Sequence, residues 1–253
     1  MSERDWALLN FLAASRLATG KQLVARFWTC HANGDPARAR AGRRALKRLS
    51  EWRVLDPLPG RARGGQRGGS ATLIYRVGVA GAKLLARRGW HQKRLAAPGE
   101  RYIAHTLACA QIAVDLHVAH GRGDLDLIEV QHEPACHRGF LGPMGARLML
   151  KPDLFVRIGA GGLEDRWFVE CDLASEHANT LLGKANRYIA HRRSGAEQRD
   201  HGVYPRVLWV APDDRRASEV ESILARPGAE AGHLFSICRF DETAEFLAAE
   251  ARS

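Results

Sequence analysis

The sequence predicts a protein of the α/β (α+β) class built from two domains, residues 1–102 and residues 103–253. In the first half, helical periodicity is followed by a hairpin pattern, and in the second half short apolar strands alternate with helices. Charge divides at the same place: residues 1–102 contain 21 Lys and Arg against 6 Asp and Glu, whereas residues 103–253 contain 17 against 22. A basic domain beside an acidic one indicates one module that attracts phosphate and another with a different task.

Two short helices open the first domain. Apolar residues at helical spacing predict one helix from Asp5 to Ser15. A second helix runs through Leu23 and Phe27, with Thr19 placed to cap its start.

The third helix carries the clearest functional signal. Asp35 followed by Pro36 is typical of a helix start, and the helical pattern continues to Trp52. At about 100° per residue, apolar residues share one face and cations share the opposite face. The apolar face consists of Ala45, Leu46, Leu49 and Trp52, and the cationic face consists of Arg40, Arg43, Arg44 and Lys47.

A basic hairpin follows the third helix. Residues 54–58 and 72–77 read as its strands, and the glycine-rich tip at residues 59–70 carries Arg61, Arg63 and Arg67. Three helices followed by such a hairpin form a winged helix-turn-helix, whose third helix lies in the major groove while wing arginines reach phosphates or the minor groove. We therefore predict that residues 1–102 bind double-stranded DNA. The alternative is that the arginines only keep a surface helix in solution.

The connection between the domains is partly helical. Residues 79–88 read as a helix that closes the first domain, and residues 89–101 as a polar linker. A largely buried helix at residues 105–120 then either opens the second domain or mediates dimerisation, so a homodimer is left open.

The second domain reads as a mixed sheet flanked by helices. Its predicted strands are residues 125–130, 148–158, 167–173, 207–211 and 234–240, and its predicted helices are residues 175–193, 213–225 and 241–251. Asp153, Glu170 and Asp172 lie on or beside two of these strands. Buried carboxylates are costly unless they are paired or hold a cation, and oxygen ligands suit Mg²⁺ or Mn²⁺. The pattern therefore predicts a metal site that would activate water against a phosphodiester.

Short motifs around these carboxylates resemble a known nuclease core. Pro152-Asp153, Glu170-Cys171-Asp172, and then Lys184 and Tyr188 on the next helix are similar to the PD-(D/E)XK nuclease superfamily. The order of winged helix, linker helix, residues 151–153, 168–172, 184–188 and 206–212 resembles the replication-relaxation family of plasmid and mobile-element proteins. This resemblance implies a PD-(D/E)XK-like second domain, a role in replication, relaxation or transfer, and a relaxase or replication protein as a partner.

One departure from that pattern leaves catalysis open. Nucleases of the superfamily usually carry a lysine two residues after the strand glutamate, where this sequence has Asp172. Lys184 is the substitute, which gives Asp153, Glu170, Asp172 and Lys184 as candidate catalytic residues of a metal-dependent endonuclease or nickase. Glu133 and Glu129 compete as an additional early acid. The alternative is a structural ion-pair network left from a lost enzyme. A third function is a dimeric winged-helix transcriptional repressor.

Location and redox state follow from simpler features. The sequence contains no run of about 18 apolar residues and does not begin like a signal peptide, so we expect a cytoplasmic protein without membrane contact. Five scattered cysteines without a Cys-x-x-Cys pair predict reduced, mostly buried thiols.

Overall fold

The computed structural model describes residues 1–29, 35–63, 72–90, 98–160, 162–227 and 233–252, and for residues 59–63, 72, 143 and 160 it describes the backbone only. This part of the chain is of mixed α/β class, as predicted. Contacts divide it into two units, Met1–Gly123 and Asp124–Ser253.

Reciprocal caps set the start of the first two helices. Helix α1 (Glu3–Ser15) begins where the Ser2 hydroxyl accepts from the Asp5 amide at 3.2 Å and the Asp5 carboxylate accepts from the Ser2 amide at 2.9 Å. Helix α2 (Gly20–Val24) has the same arrangement between Thr19 and Gln22 and continues as a π-helical turn, Ala25–Thr29. Both predicted helices are confirmed, although Phe27 lies in the π-helical turn.

Helix α3 (Pro36–Glu51) begins where the sequence predicts. The Asp35 carboxylate caps it by accepting from the Ala37 amide at 2.9 Å. Gly42 lies on its packed face, where a Cβ atom would come within 3.0 Å of side-chain atoms of Val24 and Trp28. Glycine therefore lets α3 approach the preceding helical segment closely.

The prediction for the packed face of α3 is wrong at one residue. Ala45, Leu46 and Leu49 are buried, but the Trp52 side chain is 51% exposed. Trp52 follows α3 as its C-cap residue, and its amide still donates to the Arg48 carbonyl at 3.0 Å. The Arg48 guanidinium lies over the Trp52 ring at 5.1 Å.

An antiparallel sheet completes the hairpin part of the first unit. Strands β1 (Ala18–Thr19), β2 (Leu55–Arg63) and β3 (Thr72–Val77) lie in the order β1–β3–β2, and helix α4 (Val79–Ala86) follows. The predicted tip at residues 59–70 begins too early, because β2 continues through residue 63. Arg67 lies outside the described residues.

Helix α5 (Glu100–Arg122) belongs to the first unit. Its Ile103 and Leu107 share a buried cluster with Leu17 and Ile74. The Gln22 side-chain amide also donates to the Leu107 carbonyl at 2.8 Å. The structural boundary therefore follows residue 123 rather than residue 102, because the apolar face of α5 completes the N-terminal core.

The second unit is built on a mixed sheet. Its strands are β4 (Asp126–His132), β7 (Leu154–Ala160), β8 (Leu163–Cys171), β9 (Arg206–Ala211) and β10 (Phe235–Arg239), with a separate hairpin of β5 (Arg138–Leu141) and β6 (Arg147–Leu150). In the described residues the strand order of the sheet is β10–β9–β8–β7–β4. Strands β8, β9 and β10 are parallel, whereas β4, β7 and β8 are antiparallel. The helices are α6 (Ala178–Ser194), α7 (Ala196–His201), α8 (Asp214–Leu224) and α9 (Thr243–Glu250).

The predicted strand at residues 148–158 is interrupted. It forms β6 and β7, with Lys151, Pro152 and Asp153 between them. Pro152 has no amide hydrogen to donate to a strand ladder, which explains the break at this point. Strand β5 and helix α7 were not predicted.

Two further expectations concern membranes and cysteines. Within the described ranges of the chain, no helix has both the length and the apolar character needed to cross a bilayer. Cys109, Cys136, Cys171 and Cys238 are buried and form no disulfide, as predicted. Cys30 lies outside the described residues.

Candidate functional site

Asp153 links the start of β7 to the end of β8. Its amide donates to the Val169 carbonyl at 3.1 Å. Its buried carboxylate accepts from the Cys171 amide at 2.8 Å. Both contacts hold the Asp153 side chain beside the strand that carries Glu170.

Glu170 lies at the centre of a buried cluster and is 2% exposed. Its Oε2 accepts from Lys184 Nζ at 2.8 Å and its Oε1 accepts from the Tyr188 hydroxyl at 2.6 Å. Lys184 and Tyr188 project from α6 at i and i+4, so one side of that helix supplies both donors. The structure thus brings together three of the four predicted catalytic residues, Asp153, Glu170 and Lys184.

The electrostatics of this cluster favour a charged lysine. Burial raises the pKa of Glu170 and the negative charge of Asp153 raises it further, while Lys184 and Tyr188 act in the opposite direction. Burial by itself lowers the pKa of Lys184, but Glu170 and Asp153 outweigh it and the net pKa is raised. Lys184 also lies 3.0 Å from a Glu176 carboxylate oxygen, so it is a cation between two acids.

Asp172, the fourth predicted residue, is engaged elsewhere. Its Oδ2 accepts from Arg216 Nε at 2.6 Å and its Oδ1 accepts from the Ala174 amide at 2.9 Å. Both side chains of the Asp172–Arg216 pair are buried. Arg216 also donates to the Glu176 carbonyl at 2.7 Å, and its hydrogen bond to Asp172 is the largest cause that raises its pKa.

Sequence reasoning missed Arg216, although a signal was present. Arg216 lies in the first turn of α8, on the same face as the buried Val220, Ile223 and Leu224. An arginine at an apolar position of an amphipathic helix indicates a buried acidic partner.

The two candidate early acids are also paired. Glu129 lies 3.0 Å from Arg157, and Glu133 lies 3.0 Å from His137. The partners described for Glu129 and Glu133 therefore lie outside the set formed by Asp153, Glu170 and Lys184.

The donor set decides whether a divalent metal fits. Both carboxylate oxygens of Glu170 and both of Asp172 already accept hydrogen bonds from protein donors. Lys184 and Arg216 place positive charge against these acids. Each of these oxygens keeps a second lone pair, so the hydrogen bonds alone do not exclude a metal. A cation bound by Asp153, Glu170 and Asp172 together would compete with Lys184 and Arg216 for the same carboxylates.

Lys184→Ala tests this arrangement. We expect a loss of about 3 kcal/mol in the free energy of unfolding, because the variant leaves buried carboxylates without their cation. The pKa of Glu170 should rise further above its value in the unfolded chain. A carboxyl group whose pKa is raised by folding stabilises the fold at low pH, and this stabilisation is lost as the pH rises through the folded-state pKa. The loss should therefore be smaller near about pH 5 than near about pH 8, measured by urea denaturation.

The control for Lys184→Ala is Arg187→Ala, which removes an exposed cation from the same helix. We expect Mn²⁺ to leave the Tm of the wild type unchanged and to raise that of Lys184→Ala. A metal-dependent rise in the wild type would contradict the neutralised arrangement, as would a Lys184→Ala variant as stable as Arg187→Ala.

The predicted cations of α3 form an exposed row. Arg40, Arg43, Arg44 and Lys47 are all exposed. Lys47 lies 3.9 Å from Glu51, and among the described residues no acidic group lies within ion-pair distance of the three arginines. Arg61 and Arg63 lie in β2, where only the backbone is described, and Arg67 lies outside the described residues.

Comparison with known proteins gives one match. A family model described as replication-relaxation matches residues 9–207. The matched range contains the cations of α3 and the Asp153, Glu170 and Lys184 cluster, whereas Arg216 lies beyond it. No curated protein and no solved structure matches the chain.

Proposed function

The chain belongs to the replication-relaxation family, and on that premise we propose that it is a DNA-binding protein of a plasmid or other mobile element. Its role would lie in replication, relaxation or transfer, with a relaxase or replication protein as a partner. The exposed cationic row of α3 is the observation that carries the proposal.

The chemistry of that row supports duplex DNA as the ligand. Arg40, Arg43 and Arg44 have no described acidic partner, while the opposite face of α3 packs through Ala45, Leu46 and Leu49. The helix is thus held by its apolar face and presents free guanidinium donors to phosphates or base edges. The order of α1, α2 and α3 followed by the β2–β3 hairpin supports a winged helix-turn-helix.

For the second unit we propose a structural carboxylate cluster. Lys184 and Arg216 neutralise Glu170 and Asp172 from within the chain. The alternative is a metal-dependent endonuclease, which the convergence of Asp153, Glu170 and Lys184 favours. In both cases the second unit has the mixed sheet expected of a PD-(D/E)XK-like domain.

One experiment tests both parts of the proposal. The full chain is mixed with linear duplex and supercoiled plasmid in EDTA, in Mg²⁺ and in Mn²⁺. We expect duplex binding in all three buffers, because arginine and lysine contacts need no metal, and no metal-dependent nicking. Nicking that requires metal and disappears in Asp153→Ala would establish the endonuclease. Absence of duplex binding in every buffer would contradict the proposed function.

A further inference from the structure

Two segments of the acidic second unit combine several cations with no acids. Residues 124–253 hold 16 Lys and Arg against 21 Asp and Glu. Residues 134–152, which include the β5–β6 hairpin, hold three Lys and Arg and no Asp or Glu, and helix α6 holds four and none. Positive charge is therefore concentrated in two places within a negatively charged unit.

These two segments pack against each other. Phe140 of β5 and Leu150 of β6 share a buried core with Leu181 and Ala185 of α6. Arg187 of α6 also reaches the Met149 carbonyl of β6, at 3.5 Å. The acid-free segments thus form one continuous surface rather than two separate ones.

Exposed cations and exposed apolar side chains occur together on this surface. Arg147, Lys151 and Arg187 are exposed, and none has a described acidic partner within ion-pair distance. Met144 at the hairpin tip is fully exposed, and Leu141 is 64% exposed. The hairpin surface is defined by Leu141, Met144, Arg147, Met149, Lys151 and Arg187. Large apolar side chains left in water beside cations are typical of a contact surface.

We propose that the hairpin surface is a second contact with duplex DNA. Arg147, Lys151 and Arg187 would bind backbone phosphates, and the apolar tip at Leu141 and Met144 would enter the minor groove against the bases. Methionine and leucine are among the side chains that wedge between base steps in this way. Cations that lie beside the tip without acidic residues in the same segments suit a polyanion better than a protein surface of mixed charge. The proposal rests on the proposed function and adds a second site to it.

The test compares three double variants of the full chain. Arg147→Ala with Lys151→Ala removes two cations from the hairpin surface, and Arg215→Ala with Arg226→Ala removes two exposed cations from α8 and the residues after it. At about 0.1 M salt we expect at least about tenfold weaker duplex binding for the first variant, and a log-log salt slope lower by about two. The α8 control should stay within about twofold of the wild type. Leu141→Ser with Met144→Ser should weaken binding without changing the slope, because it removes no charge.

The outcomes separate this proposal from the proposed function. If the wild type binds no duplex, the proposed function fails. If the wild type binds and the hairpin variant equals the α8 control, only the second contact is overturned. A Leu141→Ser and Met144→Ser variant that changes oligomeric state in sedimentation, with unchanged DNA affinity, would also overturn it and assign the surface to a second copy of the chain.

Discussion

Replacing Arg43, Arg44 and Lys47 together by alanine is expected to weaken duplex binding on the order of 10²–10³-fold at about 0.1 M salt. The log-log slope of affinity against salt should fall by about one for each lost phosphate contact. All three side chains are exposed on α3, so the packed core opposite them is unchanged by the substitutions. Fluorescence anisotropy over a range of salt concentrations measures both quantities.

The matched control for the triple variant removes three exposed cations from the same unit. Lys83→Ala, Arg87→Ala and Arg101→Ala have the same effect on net charge but lie on or beside helices α4 and α5. Both triple variants lose the same nonspecific attraction by net charge. We expect the control to lose little affinity, because it keeps the direct contacts of α3 with phosphates. Equal losses in the two triple variants would mean that α3 has no special role in binding.

Arg216→Ala is expected to destabilise the protein by about 3–5 kcal/mol. The variant leaves the Asp172 carboxylate buried with the Ala174 amide as its remaining described donor. Removing one partner of a buried ion pair costs more than removing both, because the remaining charge stays out of water. The control for this variant is Arg215→Ala.

Arg215 is adjacent in sequence, exposed, and has no described acidic partner within ion-pair distance. Its replacement should change stability by less than about 0.5 kcal/mol. A further variant, Arg216→Met with Asp172→Leu, should recover much of the loss, since apolar residues of similar size often replace a buried pair without cost. Urea denaturation measures all three variants. Arg216→Ala and Arg215→Ala with the same midpoint would show that the pair contributes nothing to stability.

Local signals in the sequence were sufficient for several elements. Asp35-Pro36 predicts the start of α3 because capping and proline preference act within one turn. Asp153 and Glu170 are predicted to meet because they lie on or beside two apolar strands of one sheet, and β7 and β8 are paired neighbours. Lys184 follows on the next helix.

Other features depend on contacts between distant residues. The Asp172–Arg216 pair joins residues 44 apart, and periodicity places Arg216 on the apolar face of α8 without naming its partner. Similarly, the apolar residues of α5 predict burial but not which core they complete. Periodicity places Trp52 on the apolar face of α3, but whether a side chain at a helix end is buried depends on which other elements cover it.

The position of α5 determines how the N-terminal unit should be cut for separate study. A fragment ending at residue 102 would stop within the first turn of α5 and remove Ile103 and Leu107 from their cluster with Leu17 and Ile74. It would also take away the carbonyl that accepts from the buried Gln22 amide. An expression fragment that extends to Gly123 keeps the whole helix, so it retains both the apolar cover and the hydrogen-bond acceptor of the N-terminal core.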